Sequence, residues 1–304
     1  MNNEARATLF DKIGKPINGD TELVKGLPKD FVFNVEKVPL LYTGTTGEIK
    51  RLDGKSTVIN METGRAYGPV SDKYCPIPNL EALGSVAYIK DFTLCKFGET
   101  KGGTQWLIGK LPEKKILGDE FTPYIVFRNS FNGSAPVQMA MAPLRIVCKN
   151  QISLAMRSSN YSYSLKHTKN AGEQIDEAQK IFLKANDFMT DLERMAEGYS
   201  KVKLSDVDIS RIITDLIPLT ENMSDLQRDR AEARRVAFID AINAQDLANH
   251  KGSAWGLINA YSDLITHYQP VRTTETAQEN SFLTVTFDPR WMTALVKAVG
   301  KVAA

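Results

Sequence analysis

Histidine and cysteine are scarce in this chain, three of each in 304 residues, and nowhere do they form a CxxC, HExxH or His-x-His pair. That excludes zinc and iron sites built from close-spaced ligands, and a metal would have to be held by carboxylates, of which no DxD-like cluster stands out. Cys75, Cys95 and Cys148 are far apart and odd in number, which fits reduced thiols rather than a disulfide framework. No stretch approaches the roughly 18 apolar residues of a membrane helix, and the opening MNNEARATLF has no apolar signal region, so the expectation is a cytoplasmic protein with no membrane partner. No GxSxG elbow is present. Gly54-Lys55-Ser56-Thr57 resembles the end of a phosphate-binding loop, but Ile49 stands where the first glycine is needed and the strand-like Val58-Ile59-Asn60-Met61 follows; it reads as a turn entering a strand. The sequence therefore offers no catalytic residues and no cofactor, and the expectation leans to a non-catalytic protein, with an enzyme acting on a nucleotide or phosphodiester as the third reading.

The most informative absence is of acid. From Phe121 to Gly172 the chain runs 52 residues without Asp or Glu, while carrying Arg128, Arg145, Lys149, Arg157, Lys166 and Lys169. At the average density of 36 acids in 304 residues, about six would be expected there. A formal net charge of +2 thus conceals one +6 segment inside a body of about −4, which points to a polyanionic partner. Phe121, Tyr124, Phe127, Phe131, Tyr161 and Tyr163 are interleaved with these charges. Lysine and arginine neutralise phosphates and exposed aromatic faces stack on unpaired bases, so Arg128, Arg145, Lys149, Arg157, Lys166 and Lys169 are the candidate phosphate contacts, and Tyr161 and Tyr163 the candidate stacking platforms. His167, just ahead of a helix, could meet a phosphate, or pack beside a helix capped by Thr168 or Asn170. Arg228, Arg230, Arg234 and Arg235 are nearly neutralised by Asp225, Asp229 and Glu232 and read as a helix laced with local ion pairs.

What is present otherwise, 42% hydrophobic and 24% charged residues, is enough to bury a sizeable core. The hydrophobic period changes near residue 170. Before it lie three hairpins: Thr57–Asn60 with Ala66–Val70 around Glu62-Thr63-Gly64-Arg65, Phe92–Phe97 with Trp106–Leu111, and Tyr124–Asn129 with Val137–Cys148; a short helix begins near Asn79. After it Ile175, Ala178, Phe182, Ala185, Met189, Leu192 and Met195 recur at helical spacing, and further helices are expected over 205–216, 223–247 and 253–267, with Pro270 as a stop. Phe282–Phe287 reads as one returning strand before a C-terminal helix near 289–300. The expected fold is α+β, a largely antiparallel N-terminal sheet with a helical C-terminal region packed on it. Residues 1–29 form an extension, 30–170 the mainly β region with the acid-free segment, and 171–304 the mainly helical region.

An ordered series of short motifs runs through the chain: Gly64-Arg65-Ala66-Tyr67-Gly68-Pro69-Val70 with Tyr74 and Pro78-Asn79, Gly102-Gly103 before Trp106, Tyr124 with Asn132-Gly133-Ser134, Arg145-Ile146-Val147-Cys148-Lys149-Asn150, His167-Thr168, and Gly252-Ser253-Ala254-Trp255-Gly256-Leu257-Ile258-Asn259-Ala260 with His267. Together they resemble the phage/plasmid-like protein family, uncharacterised proteins carried by bacteriophages, prophages and plasmids. Asn132 replaces the acid expected in that turn, and Gln151 an expected threonine. The resemblance implies a bacterial host cell and a role on mobile DNA, in replication, recombination or defence evasion. The reading that follows is an accessory protein binding nucleic acid, with single-stranded DNA favoured, in strand binding or annealing. The alternative is a protein-binding factor that inhibits or redirects a host protein. The apolar helix stripes fit a monomer core or the interface of a homo-oligomer equally well.

Overall fold

The computed structural model describes residues 15–16, 27–83, 89, 91–145, 150–151, 161–171, 174–175, 185–267, 274–288 and 290–302. Two antiparallel sheets occupy the N-terminal half. The smaller is a meander of β2 (Val35–Thr43), β3 (Ile49–Asn60) and β4 (Ala66–Ser71). The larger follows the order β1 (Lys15–Pro16), β5 (Thr93–Glu99), β6 (Thr104–Lys110), β8 (Asp119–Ser130), β9 (Val137–Arg145) and β10 (Asn150–Gln151). Beside this path, β7 (Lys114–Ile116) pairs with β8, and β11 (Ser162–Leu165) with β9.

All three expected hairpins form, as β3–β4, β5–β6 and β8–β9. Their turns are written in local chemistry. In the β3–β4 turn Asn60 Oδ1 accepts from the amides of Glu62 (2.9 Å) and Thr63 (3.0 Å), and Gly64 takes the left-handed conformation at φ 70°. Gly54-Lys55-Ser56-Thr57 lies inside β3, where Ser56 Oγ donates to Asp72 Oδ1, so these residues are bound into the sheet rather than free to cradle a phosphate.

Helices follow: α1 (Asn79–Ala82) between the sheets, then α2 (Ala185–Lys201), α3 (Asp206–Leu216), α4 (Asp225–Ile242), a 3₁₀ turn (Gln245–His250), α5 (Ala254–His267), α6 (Glu275–Phe287) and α7 (Arg290–Val302). Ser205 with Asp208, and Ser224 with Gln227, form reciprocal capping boxes that fix where α3 and α4 begin. Of the expected long helical stripe, Ile175, Met189 and Leu192 are buried; Ala178 and Phe182, like Pro270, lie outside the described residues.

One element departs from expectation. Phe282–Phe287 is not a strand but the second half of α6. Its β-branched residues are accommodated because Thr284 Oγ1 donates to the Asn280 carbonyl (2.8 Å) and Thr286 Oγ1 to that of Phe282 (2.9 Å), while Phe282 and Leu283 are buried against Trp106, Ile108, Val126 and Ala142. Tertiary burial outweighs the local preference for a strand.

The larger sheet is therefore covered on both faces. On one, Leu107, Ile125, Phe127, Met139 and Met141 join Phe188 and Leu192 of α2 and Trp255 and Ile258 of α5 in the main core. On the other lies α6. A third cluster, Phe33, Val58, Tyr67, Val70 and Phe131, joins the smaller sheet to the end of β8.

Candidate nucleic-acid interface

The acid-free segment builds adjacent strands: β9 lies between β8 on one side and β10 and β11 on the other. Because side chains alternate across a sheet, the register decides which of them share a face. Arg128 pairs with Gln138, and Gln138 with Ser164; Val126 pairs with Ala140, and Ala140 with Ser162. This outer face is polar at its β11 side, where Ser164 is exposed and Arg128, Gln138 and Ser162 are half-buried. The intervening row, Phe127, Met139 and Tyr163, points into the main core.

That alternation corrects the expected stacking platforms. Tyr161 is 4% and Tyr163 7% exposed. The Tyr161 ring packs edge-on against Phe188 at 5.1 Å, its hydroxyl donates to Asp191, and burial pushes its pKa up to about 12. Tyr163 donates to the Ala82 carbonyl at 3.3 Å, and burial holds its phenol protonated well beyond the usual range. Neither ring offers a face to a base, because the positions that carry aromatics are the ones turned toward the helices.

The basic residues divide. Lys166 and Lys169 are exposed and, among the described residues, pair with no carboxylate. Arg128 donates through Nε to Gln138 Oε1 (2.6 Å) and lies 4.5 Å over the Phe287 ring; burial lowers its pKa. Arg145 is placed on β9 opposite Phe121, whereas Lys149 and Arg157 lie outside the described residues, as does Cys148. His167 is 7% exposed, stacked on Tyr74 at 4.5 Å, with both ring nitrogens buried beside the Cys75 and Ala135 backbone and without a well-aligned hydrogen bond. Burial lowers its pKa to about 4, so it is a neutral packing residue and not a phosphate contact. The arginines of α4 also differ from expectation: Arg235 Nε donates to the Ile217 carbonyl (2.8 Å) and Arg228 Nη2 to that of Thr220 (3.4 Å), and among the described residues none of the four pairs with an acid.

The motif residues themselves converge elsewhere, on a cleft of about 860 Å³ between the two sheets. Arg65 Nη2 is 2.7 Å from Glu99 Oε1, and its guanidinium lies 5.0 Å over Tyr67, which stacks in turn on Phe33. Gly103 sits at φ 84°, and a Cβ there would stand 2.9 Å from Tyr67 Cδ1, which accounts for the second of the paired glycines. Asn132 donates to the Gly102 carbonyl, tying the β8–β9 turn to the β5–β6 turn. At Gly98 a Cβ would lie 2.5 Å from Trp106 Cζ2 and 3.0 Å from Glu279 Oε1, so glycine lets α6 bring a buried carboxylate against β5. Gln105, Glu99 and Glu279 also line the cleft; Glu99 and Gln105 are signalled in the sequence by adjacency to the Gly-Gly turn and to Trp106, whereas Glu279 is brought there only by the packing of α6. Among the described residues no three His, Cys, Asp or Glu side chains could hold a metal, and no helix is long and apolar enough to cross a membrane. Cys75 and Cys95 are unpaired, half-buried thiols, and burial raises the pKa of Cys95.

A family model described as "Domain of unknown function (DUF932)" matches residues 66–284, a span that takes in the acid-free segment, helices α1 to α5 and the Tyr67, Glu99, Gln105 and Glu279 side of the cleft, while Arg65 and the 29–33 wall lie before it. No curated protein and no solved structure matches.

Proposed function

Since the chain belongs to the DUF932 family, whose description carries no activity, we propose a function read from its surface: non-catalytic binding of nucleic acid, single strands above all, as an accessory of phage or plasmid DNA metabolism. The observation that carries this reading is the polar stretch of the outer face where the end of β8 meets β9 and β11: Arg128, Gln138, Ser162 and Ser164 are half-buried or exposed there, Lys166 and Lys169 stand exposed beyond them, and the strand residues 121–145 and 162–165 contribute no acid. Guanidinium, amide, hydroxyl and ammonium groups are the donors that hold phosphate oxygens. Three strands span about 10 Å, room for one phosphate backbone and less than a duplex. Arg145, Lys149 and Arg157, in the same segment, would add charge. With Tyr161 and Tyr163 turned inward, affinity in this mechanism comes from phosphates.

Fluorescence anisotropy with labelled single-stranded DNA, duplex DNA and single-stranded RNA at two salt concentrations tests it. Tightest binding of a single strand is expected, falling steeply with salt, and the double variant Lys166→Ala/Lys169→Ala should reduce the slope of log K against log salt by about 1.4. No binding at low salt, or a folded double variant with unchanged slope, would overturn the proposal.

A second reading, a factor that binds a host protein, is favoured by a different observation. The outer half of the β2–β3 hairpin leaves Leu41 60%, Tyr42 47%, Ile49 73% and Leu52 45% exposed, apolar surface that a partner could cover. Under this reading a host protein is retained from nuclease-treated lysate by the native chain and lost by Leu41→Ser/Ile49→Ser; equal retention by both would remove it.

A further inference from the structure

We propose that the cleft between the two sheets is a nucleotide site, taking one nucleotide whose base carries an exocyclic amino group, either free or at the end of a strand. The proposal does not depend on the phosphate-binding face. It rests on the arrangement of three kinds of group around one cavity.

The floor supplies hydrogen-bond acceptors in a fixed orientation. Glu99 and Gln105 face each other across β5 and β6. Gln105 is 1% exposed, and its amide cannot flip: Oε1 accepts from Asn79 Nδ2, so Nε2 is directed at Glu99 Oε2, 3.4 Å away. Asn79 is locked in turn, donating to the Phe31 carbonyl (2.8 Å) and accepting from Asn129 Nδ2 (2.9 Å), which also donates to the Ile77 carbonyl (2.8 Å). A chain of buried amides thus holds the Glu99 carboxylate at the cavity, with Arg65 on its other oxygen. Oε1, the partner of Arg65, is buried, so the lone pairs that remain for the amino group of a base are those of Oε2.

The wall supplies a plate. The Arg65 guanidinium is backed by Tyr67 and Phe33, while its side chain stays 49% exposed, and an arginine plane so supported is a surface on which a base stacks. The rim supplies positive charge. Lys15 is neutralised by Asp30 at 3.0 Å, but Lys29 and Lys101 are exposed and, among the described residues, pair with no carboxylate. Acceptors at the floor, a flat cation on the wall and free ammonium groups at the rim match an amino-bearing base, its ring and its phosphate. Uracil and thymine would set carbonyl oxygens against Glu99. The volume, about 860 Å³, suits one such ligand.

Calorimetric titration of the full chain with AMP, CMP, GMP, UMP and inorganic phosphate decides the matter. At least one of the amino-bearing nucleotides should bind saturably and at least tenfold more tightly than UMP or phosphate. Lys29→Ala/Lys101→Ala, both at exposed positions, should weaken that binding at least fivefold with an unchanged melting temperature, and Glu99→Gln should narrow the gap to UMP. Absence of saturable binding, UMP or phosphate binding as tightly, or normal binding by the lysine double variant would overturn the assignment. A 5′-phosphorylated trinucleotide that competes with the mononucleotide identifies a strand end as the ligand, and one that does not identifies the free nucleotide. Lys166→Ala/Lys169→Ala should leave mononucleotide binding intact, so failure of the sheet face and failure of the cleft are separable.

Discussion

His167 is buried against Tyr74, and burial outweighs what the nearby Cys75 and Ala135 backbone offers its charged form, which makes it a built-in destabiliser under acid. Burial depresses its folded pKa to about 4, against about 6.5 in the unfolded chain. Above about pH 6.5 it is neutral in both states and contributes no pH dependence. As pH falls from there toward 4, the unfolded chain takes up a proton that the folded one refuses, so stability declines across that window, by an amount on the order of 3 kcal/mol if the whole shift is realised. His167→Phe keeps a ring on Tyr74 and removes the titration. The variant should lose less stability than the native chain between pH 7 and pH 4.5 in parallel denaturant titrations; an equal loss would mean that other groups account for it.

At the scale of elements, α5 shows why its signature contains glycine. Ser253 Oγ accepts from the Gly256 amide at 3.1 Å, capping the helix, and its hydroxyl donates to the His250 carbonyl at 2.6 Å. This folds the preceding 3₁₀ turn so tightly over the first helical turn that a Cβ on Gly256 would lie 2.3 Å from the His250 carbonyl oxygen, a backbone atom with little freedom to move. Gly256→Ala should therefore destabilise by about 1–3 kcal/mol through overpacking. Gly198, in α2 with nothing within 4 Å of its added Cβ, is the control: alanine there should stabilise by about 0.5–1 kcal/mol. Chemical denaturation of the two variants checks both signs. The contrast with α6 is informative. There a segment of high strand propensity becomes helix because Phe282 and Leu283 find a sheet face to cover, and no local pattern announces that face.

Across the whole molecule one main core runs from Phe31 to Val299, so the β-rich and helix-rich halves fold onto each other rather than standing apart. Covering the large sheet on both faces has a direct consequence for function. An aromatic on such a sheet is drawn inward wherever a helix lies over it, and under the proposed function the surface left for a polyanion is the polar edge near β11, where Ser164 is exposed. The salt dependence expected for nucleic-acid binding is a property of this whole-molecule segregation, in which basic residues are gathered on a segment without acids while the rest of the chain carries about −4.

The sequence by itself determined the α+β class, the three hairpins, the starts of α3 and α4 and the charge asymmetry, because turn chemistry, capping boxes and residue counts are local. Only the tertiary structure decided which side of each strand faces a helix. That single choice withdrew Tyr161, Tyr163 and His167 from the expected site, left Lys166 and Lys169 at the surface, turned Phe282–Phe287 into helix and assembled Arg65, Glu99 and Gln105 around one cleft. Residues so distant in the chain meet through strand register and the packing of α6 across the sheet, and neither is encoded at a fixed spacing.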